Sequence, residues 1–181
     1  MTSKHVVRLA VASLIAVTPL GVLAASPHWK HGGQVTVTAT VSGATANAVA
    51  SAGLAAGIGN ENILVVISLS GSAGTFCHNK GNPSLIVPGQ NPALGTSSTA
   101  VPIDASAVKN GNLVVPSIST SLTLATPSPD AAGCPNDQNW TVTLGETSFS
   151  GHYSFQQPPG TEIPSLSGDF PVPGGPTPIG S

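Results

Sequence analysis

The sequence predicts an all-β fold, and three observations support this prediction. Residues 34–42 and 117–125 alternate between apolar and hydroxyl-bearing side chains, a period of two that is typical of strands with one buried face. Clusters of Gly, Asn and Pro separate such runs and indicate turns. The only two cysteines, Cys77 and Cys134, each lie where a β-type run meets a polar turn. A β-sandwich with one disulfide fits these observations.

The composition limits the classes of partner. The 181-residue chain is 40% hydrophobic but only 7% charged, far below the ~25% charged residues of ordinary soluble domains. Its surface must therefore be covered mainly by Ser, Thr, Asn, Gln and Gly. After residue 24, Lys30, Lys80 and Lys109 are the only lysines or arginines, against seven carboxylates. Because nucleic acids and anionic lipids are bound by clusters of cations, we expect neither as a partner.

Residues 1–24 have the features of a secretory signal peptide. Lys4 and Arg8 are followed by an almost continuous apolar run over residues 9–20 and by small residues that end at Ala24. A membrane anchor would need about 20 apolar residues and a firm polar stop. We therefore expect cleavage, no membrane span in the remaining chain, and a secreted or periplasmic protein, with the extracellular location favoured.

Residues 25–33 are expected to form a flexible leader. His28 and His31 near the new amino terminus suggest a copper or nickel site, but Pro27 removes one of the amides that such a site uses. A frayed terminus is the preferred interpretation.

The first half of the β domain contains four predicted strands. Residues 62–70 form the most apolar run after the signal peptide and should occupy the middle of a sheet. Residues 44–56 are ambiguous, because alanine favours helices, but the alternation within residues 46–51 favours a strand. Gly57-Ile58-Gly59-Asn60 predicts a tight turn. The predicted strands are residues 34–42, 46–51, 62–70 and 75–77.

The middle of the chain is predicted to contain a long loop and a hairpin. Residues 78–95 have a loop composition, and we expect the apolar residues 84–87 to hold this loop against the core. Asn110-Gly111 is the best hairpin signal in the chain. Further strands are predicted at residues 96–103, 112–115 and 117–125.

Residues 139–144 and 148–155 are predicted to be the last two strands, paired with each other. The β domain thus spans residues 34–156, with about seven to nine strands in an Ig-like sandwich. Residues 157–181 are rich in Pro and Gly and are predicted to be a disordered tail that joins no sheet.

The two cysteines of an exported chain are expected to form a disulfide between Cys77 and Cys134. Closing the long loop between them contributes about 4 kcal/mol in the chain-entropy model. That is a large share of the ~5–15 kcal/mol that stabilises an ordinary domain.

Three short motifs follow one another along the domain: Gly57-Ile58-Gly59-Asn60, Cys77-His78-Asn79-Lys80-Gly81-Asn82 and Asn139-Trp140-Thr141. With these motifs the chain, from about residue 34 to residue 156, resembles an uncharacterised group of small secreted bacterial proteins. Those proteins carry Gly-Leu-Gly-Asn-like, Cys-x-Asn-x-Gly-Gly-Asn-like and Asn-Trp-Thr-like motifs, whereas here the second motif has a single glycine and is followed by Pro83. The resemblance implies a β fold and a disulfide, and it implies no activity.

The chemistry-bearing residues form no recognisable catalytic motif, and we expect a protein that is not an enzyme. Gly71-Ser72-Ala73-Gly74 falls short of the Gly-x-Ser-x-Gly elbow of serine hydrolases. The seven carboxylates are too widely spread for the acid pair of a glycosidase. His78 and His152 are isolated in sequence, whereas zinc needs closely spaced ligands.

Calcium is the metal ion that the sequence favours most. Asp130, Asn136 and Asp137 crowd one loop beside Cys134, where loop carbonyls could complete an oxygen shell. Asp and Asn also populate turns for backbone reasons alone, which is the competing interpretation.

A ligand site is also predicted, with Trp140 as its anchor beside Asn79 and Asn82. It would use the loops at residues 77–95 and 132–140 to bind a glycan or another small ligand. The competing interpretation buries Trp140 in the core or against the disulfide.

These observations favour an exported, non-catalytic structural or adhesion-type protein of the cell surface or extracellular matrix. Its partners would be further copies of itself or a glycan or cell-surface component. The alternative is a glycan- or small-ligand-binding module built on the two loops. A second alternative is a pilin-like subunit, because Gly32-Gly33 precedes a run of alternating Val and Thr.

Overall fold

The computed structural model describes residues 26–180, so the signal peptide predicted at residues 1–24 lies outside the described residues. Residues 26–180 are all-β, as predicted, with two short 3₁₀ helices, Ala105–Ala107 and Pro164–Leu166. None of the helices in this range has the length and apolar content of a membrane span. The strands are β1 (His28–Trp29), β2 (Thr36–Ser42), β3 (Thr45–Ala50), β4 (Gly53–Ala56), β5 (Ile63–Asn79), β6 (Ile86–Pro88), β7 (Ala93–Ile103), β8 (Asn112–Val115), β9 (Ile118–Thr123), β10 (Trp140–Gln156), β11 (Gly168–Val172) and β12 (Gly174–Pro178).

The strands form two large antiparallel sheets and one small one. In the five-stranded sheet β10 lies between β11 and β5, and both β6 and β7 pair along the other side of β5. The four-stranded sheet has the order β12-β2-β3-β9, and the small sheet has the order β1-β4-β8. The large sheets pack face to face as a sandwich, and Ser97 Oγ of β7 lies 3.2 Å from Thr120 Oγ1 of β9. One lateral edge of the sandwich therefore consists of β11 and β12, and the opposite edge consists of β7 and β9.

The core lies between the two large sheets and takes alternate residues from each strand. Ile63, Val65 and Ile67 of β5 are buried, while the residues between them face outward. Tyr153 and Phe155 of β10 are fully buried beside them. Burial of each such side chain contributes roughly 1.5–3 kcal/mol, which is why the apolar period-two runs form strands.

β5 and β10 are each 17 residues long and pair along almost their whole length. The prediction that residues 139–144 and 148–155 pair with each other is wrong, because both belong to β10 and pair with β5. The register shifts between Leu144 and Thr147. The intervening residues thus make an irregularity within one strand rather than a turn between two.

The predicted disordered tail at residues 157–181 is wrong. Its described part contains a 3₁₀ turn, β11 and β12, and it buries Leu166, Phe170 and Ile179 in the main core. β11 pairs with β10, and β12 pairs with β2. Proline is tolerated here because both strands lie at sheet edges, where a missing backbone N–H breaks no central ladder.

The predicted flexible leader at residues 25–33 is wrong for the described residues 26–33. β1 pairs with β4, so that His28 lies opposite Ala56. The ring of Trp29 packs edge-on against Phe155 with 6.3 Å between the ring centroids. An aromatic residue in the segment supplies enough apolar area to fix it on the core.

The loop predicted at residues 78–95 is shorter than expected, because β5 continues to Asn79 and β7 begins at Ala93. Its middle is held as predicted, since β6 pairs with β5. The expectation that its apolar side chains pack on the core is wrong, because Leu85 and Ile86 are 43% and 50% exposed. Backbone pairing holds this loop.

The hairpin prediction is confirmed. Asn110 and Gly111 both have positive φ, at 52° and 73°, as the tight hairpin turn requires, and Lys109 pairs with Asn112 across them. The ambiguous stretch at residues 46–51 forms β3, so the strand alternative is correct there.

Phenylalanine rings cover glycines on neighbouring strands. Gly151 of β10 lies directly opposite Phe170 of β11, and Gly71 of β5 lies directly opposite Phe149 of β10. A Cβ atom at either glycine would overlap with the facing ring. The missing side chain is therefore what lets each ring lie flat on the sheet.

Candidate functional site

A cluster of ionisable side chains lies on the outer face of the five-stranded sheet, centred on His152 of β10. Asp169 of β11 is its cross-strand partner, and Asp169 Oδ1 lies 2.6 Å from His152 Nδ1. Glu162, from the segment before β11, places Oε2 3.1 Å from His152 Nε2. The same Glu162 oxygen accepts a 2.7 Å hydrogen bond from Ser154 Oγ. The cluster fastens the carboxy-terminal segment to β10.

The protonation of His152 follows from this geometry. Partial burial acts to lower its pKa, but the hydrogen bonds and negative charges of Asp169 and Glu162 outweigh it, so that the pKa is raised above 6.5. Partial burial acts to raise the pKa of Glu162, but hydrogen bonds from Ser154 and His152 lower it below its ordinary value. Each ring nitrogen faces a carboxylate, which is the arrangement that suits an imidazolium donating on both sides.

The cluster lacks the parts of a nucleophilic catalyst. A general base needs a ring nitrogen with a free lone pair directed at the nucleophile. Here both nitrogens of His152 face carboxylates, and the Ser154 hydroxyl donates to Glu162. The ring also lies between the two carboxylates, so the three side chains do not converge on a point. Within residues 26–180 no group of three His, Cys, Asp or Glu side chains is arranged to hold a metal ion.

A cavity of about 590 Å³ adjoins His152 and Asp169 on the same outer face. Its walls are mainly hydroxyl-bearing side chains from three neighbouring strands. Ser70 Oγ of β5 lies 2.8 Å from Ser150 Oγ of β10, so these two hydroxyls are already paired. The outward-facing hydroxyl residues that line the cavity are Ser68, Ser70, Thr96, Ser98 and Ser150.

The outer face of the four-stranded sheet is also rich in hydroxyls and carries no charge across β2, β3 and β9. Thr40 lies opposite Asn47, which lies opposite Ser121, and this row crosses three strands. In the next row Thr45 Oγ1 and Thr123 Oγ1 are 2.9 Å apart. We call this surface the hydroxyl face; its exposed or half-exposed polar residues are Thr38, Thr40, Ser42, Thr45, Asn47, Ser119, Ser121 and Thr123.

The predicted disulfide is confirmed. Cys77 and Cys134 are joined by an S–S bond of 2.02 Å, and they are 57 residues apart in sequence. Cys77 is fully buried in β5, and Cys134 lies in the loop before β10. The bond thus fixes that loop to the central strand. A disulfide of this kind is consistent with an extracellular or periplasmic protein.

Trp140, the predicted ligand anchor, is buried, whereas an anchor for a ligand needs an accessible ring. Trp140 lies opposite Asn79 at the end of the β5-β10 pair and is only 7% exposed, so its ring offers no open face for stacking. Asn79 Oδ1 accepts hydrogen bonds from the backbone N–H groups of Gly81 and Asn82, each at 2.9 Å. The Asn79 side chain therefore closes a turn. The burial of Trp140 and the turn contacts of Asn79 argue against a ligand role for these two residues, and the ligand role of the exposed Asn82 stays a prediction.

The candidate calcium ligands also have structural contacts. Asn136 Oδ1 accepts a 2.8 Å hydrogen bond from the backbone N–H of Asn139, and the carbonyl of Asp130 accepts one of 2.9 Å from Gly133. Asp137 is exposed on the same loop. Turn formation accounts for the Asn136 side chain, and calcium binding stays a prediction.

Sequence reasoning missed the His152 cluster because two of its members lie in the segment that was predicted to be disordered. The signal that would have found them is the pattern of residues 166–172, where the apolar Leu166, Phe170 and Val172 are separated by polar or small residues. As a strand next to β10, this pattern brings Asp169 beside His152.

No protein-family model matches the chain, and a search of curated proteins finds no matching relative.

Proposed function

We propose that this protein is an exported, non-catalytic structural or adhesion-type protein of the cell surface or extracellular matrix. The observation that carries the proposal is the registered array of uncharged hydroxyl groups on both outer faces of the sandwich. The disulfide supports export to an oxidising compartment. The engagement of both His152 nitrogens by carboxylates supports a role without catalysis.

The hydroxyl arrays suit contact with a repetitive polar polymer such as a polysaccharide. Each hydroxyl donates and accepts hydrogen bonds. Neighbouring strands repeat these groups about every 4.8 Å, and alternate residues along one strand repeat them roughly every 6.8 Å. Individual contacts of this kind are weak, but many of them acting together give retention. The low charge of the surface makes such binding insensitive to salt.

Retention of the purified protein on the producing cells or their matrix tests this proposal. Replacing Thr38, Thr40 and Thr123 by valine removes hydroxyls of the hydroxyl face while keeping side-chain size, and we expect at least a fivefold loss of retention. The matched control is Thr161→Val, which changes an exposed residue that belongs neither to the hydroxyl face nor to the residues lining the cavity beside His152. Equal retention of the triple variant and the control, or no retention of the unmodified protein, would contradict the proposal.

The cavity beside His152 supports a second candidate function, the binding of a small sugar or polyol. Its volume of about 590 Å³ lies in the range of small-molecule sites. The hydroxyls of Ser70 and Ser150 and the 90% exposed Asp169 carboxylate would bind ligand hydroxyls. Calorimetry with soluble oligosaccharides tests this, with Ser70→Ala/Ser150→Ala expected to abolish the heat signal. A signal that is equal in this variant would reject the cavity as the site. The pilin-like alternative stays a prediction.

A further inference from the structure

The two lateral edges of the sandwich differ in how they are protected against pairing with another chain. The edge formed by β11 and β12 contains Asp169 and Pro171 in β11 and two prolines in β12, whose pairing with β2 is also irregular. Charge, proline and irregularity are the features by which natural sheets prevent edge-to-edge contact. This edge is therefore closed to further strands.

The opposite edge has only one of these features, Pro102 near the end of β7. β7 is eleven residues long, carries no charged residue, and has no proline before Pro102. All eleven residues pair with β5 without a register shift, so the strand contains no bulge. Within residues 26–180 β7 pairs with no strand other than β5. Alternate backbone N–H and C=O groups of β7 consequently point sideways, away from β5.

From this asymmetry we propose that β7 is a self-association edge, at which two copies of this chain pair their β7 strands in antiparallel orientation. A second copy is the occupant that the chemistry favours. Two identical antiparallel strands satisfy each other's free backbone groups about a two-fold axis, and neither brings a charge that would repel its copy. The neighbouring edge strand β9 is likewise free of charge and proline. β9 therefore brings no charge that would repel its copy across the same axis.

The expected strength follows from the size of the contact. A strand of eleven residues is roughly 37 Å long, but one pair of strands buries less surface than a permanent dimer requires. Association should thus be reversible and rise with concentration. Pairing at one edge only also limits the assembly to two copies, because the β11 and β12 edge is closed. This inference gives the proposed structural role a partner, but its test uses purified protein and does not depend on retention on cells.

Sedimentation velocity of the purified, oxidised protein across a concentration series is the test. We expect a monomer-dimer equilibrium, and we expect Thr96→Lys/Ser98→Lys, which places like charges on both copies of β7, to weaken it at least tenfold. The matched control is Ser84→Lys/Thr161→Lys, which adds the same charge at exposed turns and should leave the dimer intact. Circular dichroism of each variant shows that it is folded. A wild-type protein that stays monomeric, or equal weakening by both variants, would overturn the proposal.

Cross-linking locates the contact independently of charge. Ser98 is the central residue of β7, so antiparallel pairing brings the two copies of residue 98 close together. Ser98→Cys should form a disulfide-linked dimer under mild oxidation, and Ser84→Cys should not. If neither Ser98→Cys nor Thr96→Cys cross-links more than the control, the β7 edge is not the interface.

Discussion

The glycine-aromatic pair between β10 and β11 allows a quantitative prediction for Gly151→Ala. The ring of Phe170 is 4% exposed and lies directly over Gly151, so that an added Cβ would overlap with the ring carbons. Either the ring leaves the core or β11 moves away from β10. Forcing an extra carbon into a packed core costs about 1–3 kcal/mol. Losing the burial of the Phe170 ring costs roughly 1.5–3 kcal/mol.

The two costs overlap, because a Phe170 ring that has moved out of the core no longer clashes with the added Cβ atom. We therefore expect Gly151→Ala to lower the free energy of unfolding by about 2–4 kcal/mol. For a domain of this size that corresponds to a decrease in Tm of roughly 5–15 °C. Urea unfolding of the oxidised protein, followed by tryptophan fluorescence, gives the free energy directly.

A matched control and a double-mutant cycle make this prediction specific. Gly74→Ala also changes a glycine within a long strand, but a Cβ there meets nothing within 4 Å, so we expect little change. Phe170→Ala should cost about 3–5 kcal/mol. Once the ring is gone, adding Gly151→Ala should cost almost nothing more. Wild-type stability of Gly151→Ala, or costs of the two substitutions that simply add, would refute the proposed clash between the Cβ atom and the Phe170 ring.

Three further predictions concern the disulfide, the carboxy-terminal segment and the His152 cluster. Cys77→Ala/Cys134→Ala should lower the free energy of unfolding by about 4 kcal/mol, as measured by urea unfolding against the oxidised protein; a loss below about 1 kcal/mol would contradict the loop-closure argument. A chain that ends at residue 157 should not fold cooperatively by circular dichroism, because it lacks three buried core side chains and the partners of β10 and β2; a cooperative melt near the wild-type Tm would show that the segment is dispensable. The raised pKa of His152 means that its stabilising contribution is complete below pH 6.5 and is lost as the pH rises through the folded-state pKa. As the pH rises from 6.5 through the folded-state pKa of His152, the urea midpoint should therefore fall in the wild type and fall less in His152→Gln. Parallel profiles of urea midpoint against pH for the two proteins would contradict this.

Local pattern predicted the parts of the fold in which side-chain alternation decides the structure. Residues 34–42 and 62–70 alternate or are strongly apolar, and they form β2 and the first half of β5 as expected. Asn110-Gly111 predicted its turn because few dipeptides accept two successive positive φ angles. The disulfide followed from having two cysteines in a chain that the sequence predicts to be exported.

The errors arose where pairing partners, rather than local preference, decide the structure. Proline and glycine in residues 157–181 argue against a central strand, but an edge strand needs backbone bonds on one side only. The short leader is likewise held by the pairing of β1 with β4 and by the ring of Trp29. The His152 cluster was missed for the same reason, because the carboxylates of Glu162 and Asp169 lie beside His152 only when β11 pairs with β10. The Ig-like character of the sandwich stays a prediction.

Because β11 and β12 complete the two sheets, β10 and β2 gain these outer partners only when residues 168–178 have been synthesised. A nascent chain that stops before residue 168 has neither outer strand, and its central hydrophobic layer remains open to water or to a chaperone. We expect such a chain to stay unfolded until both strands have been added. Protease resistance that appears in stalled chains lacking both strands would show instead that folding begins before release.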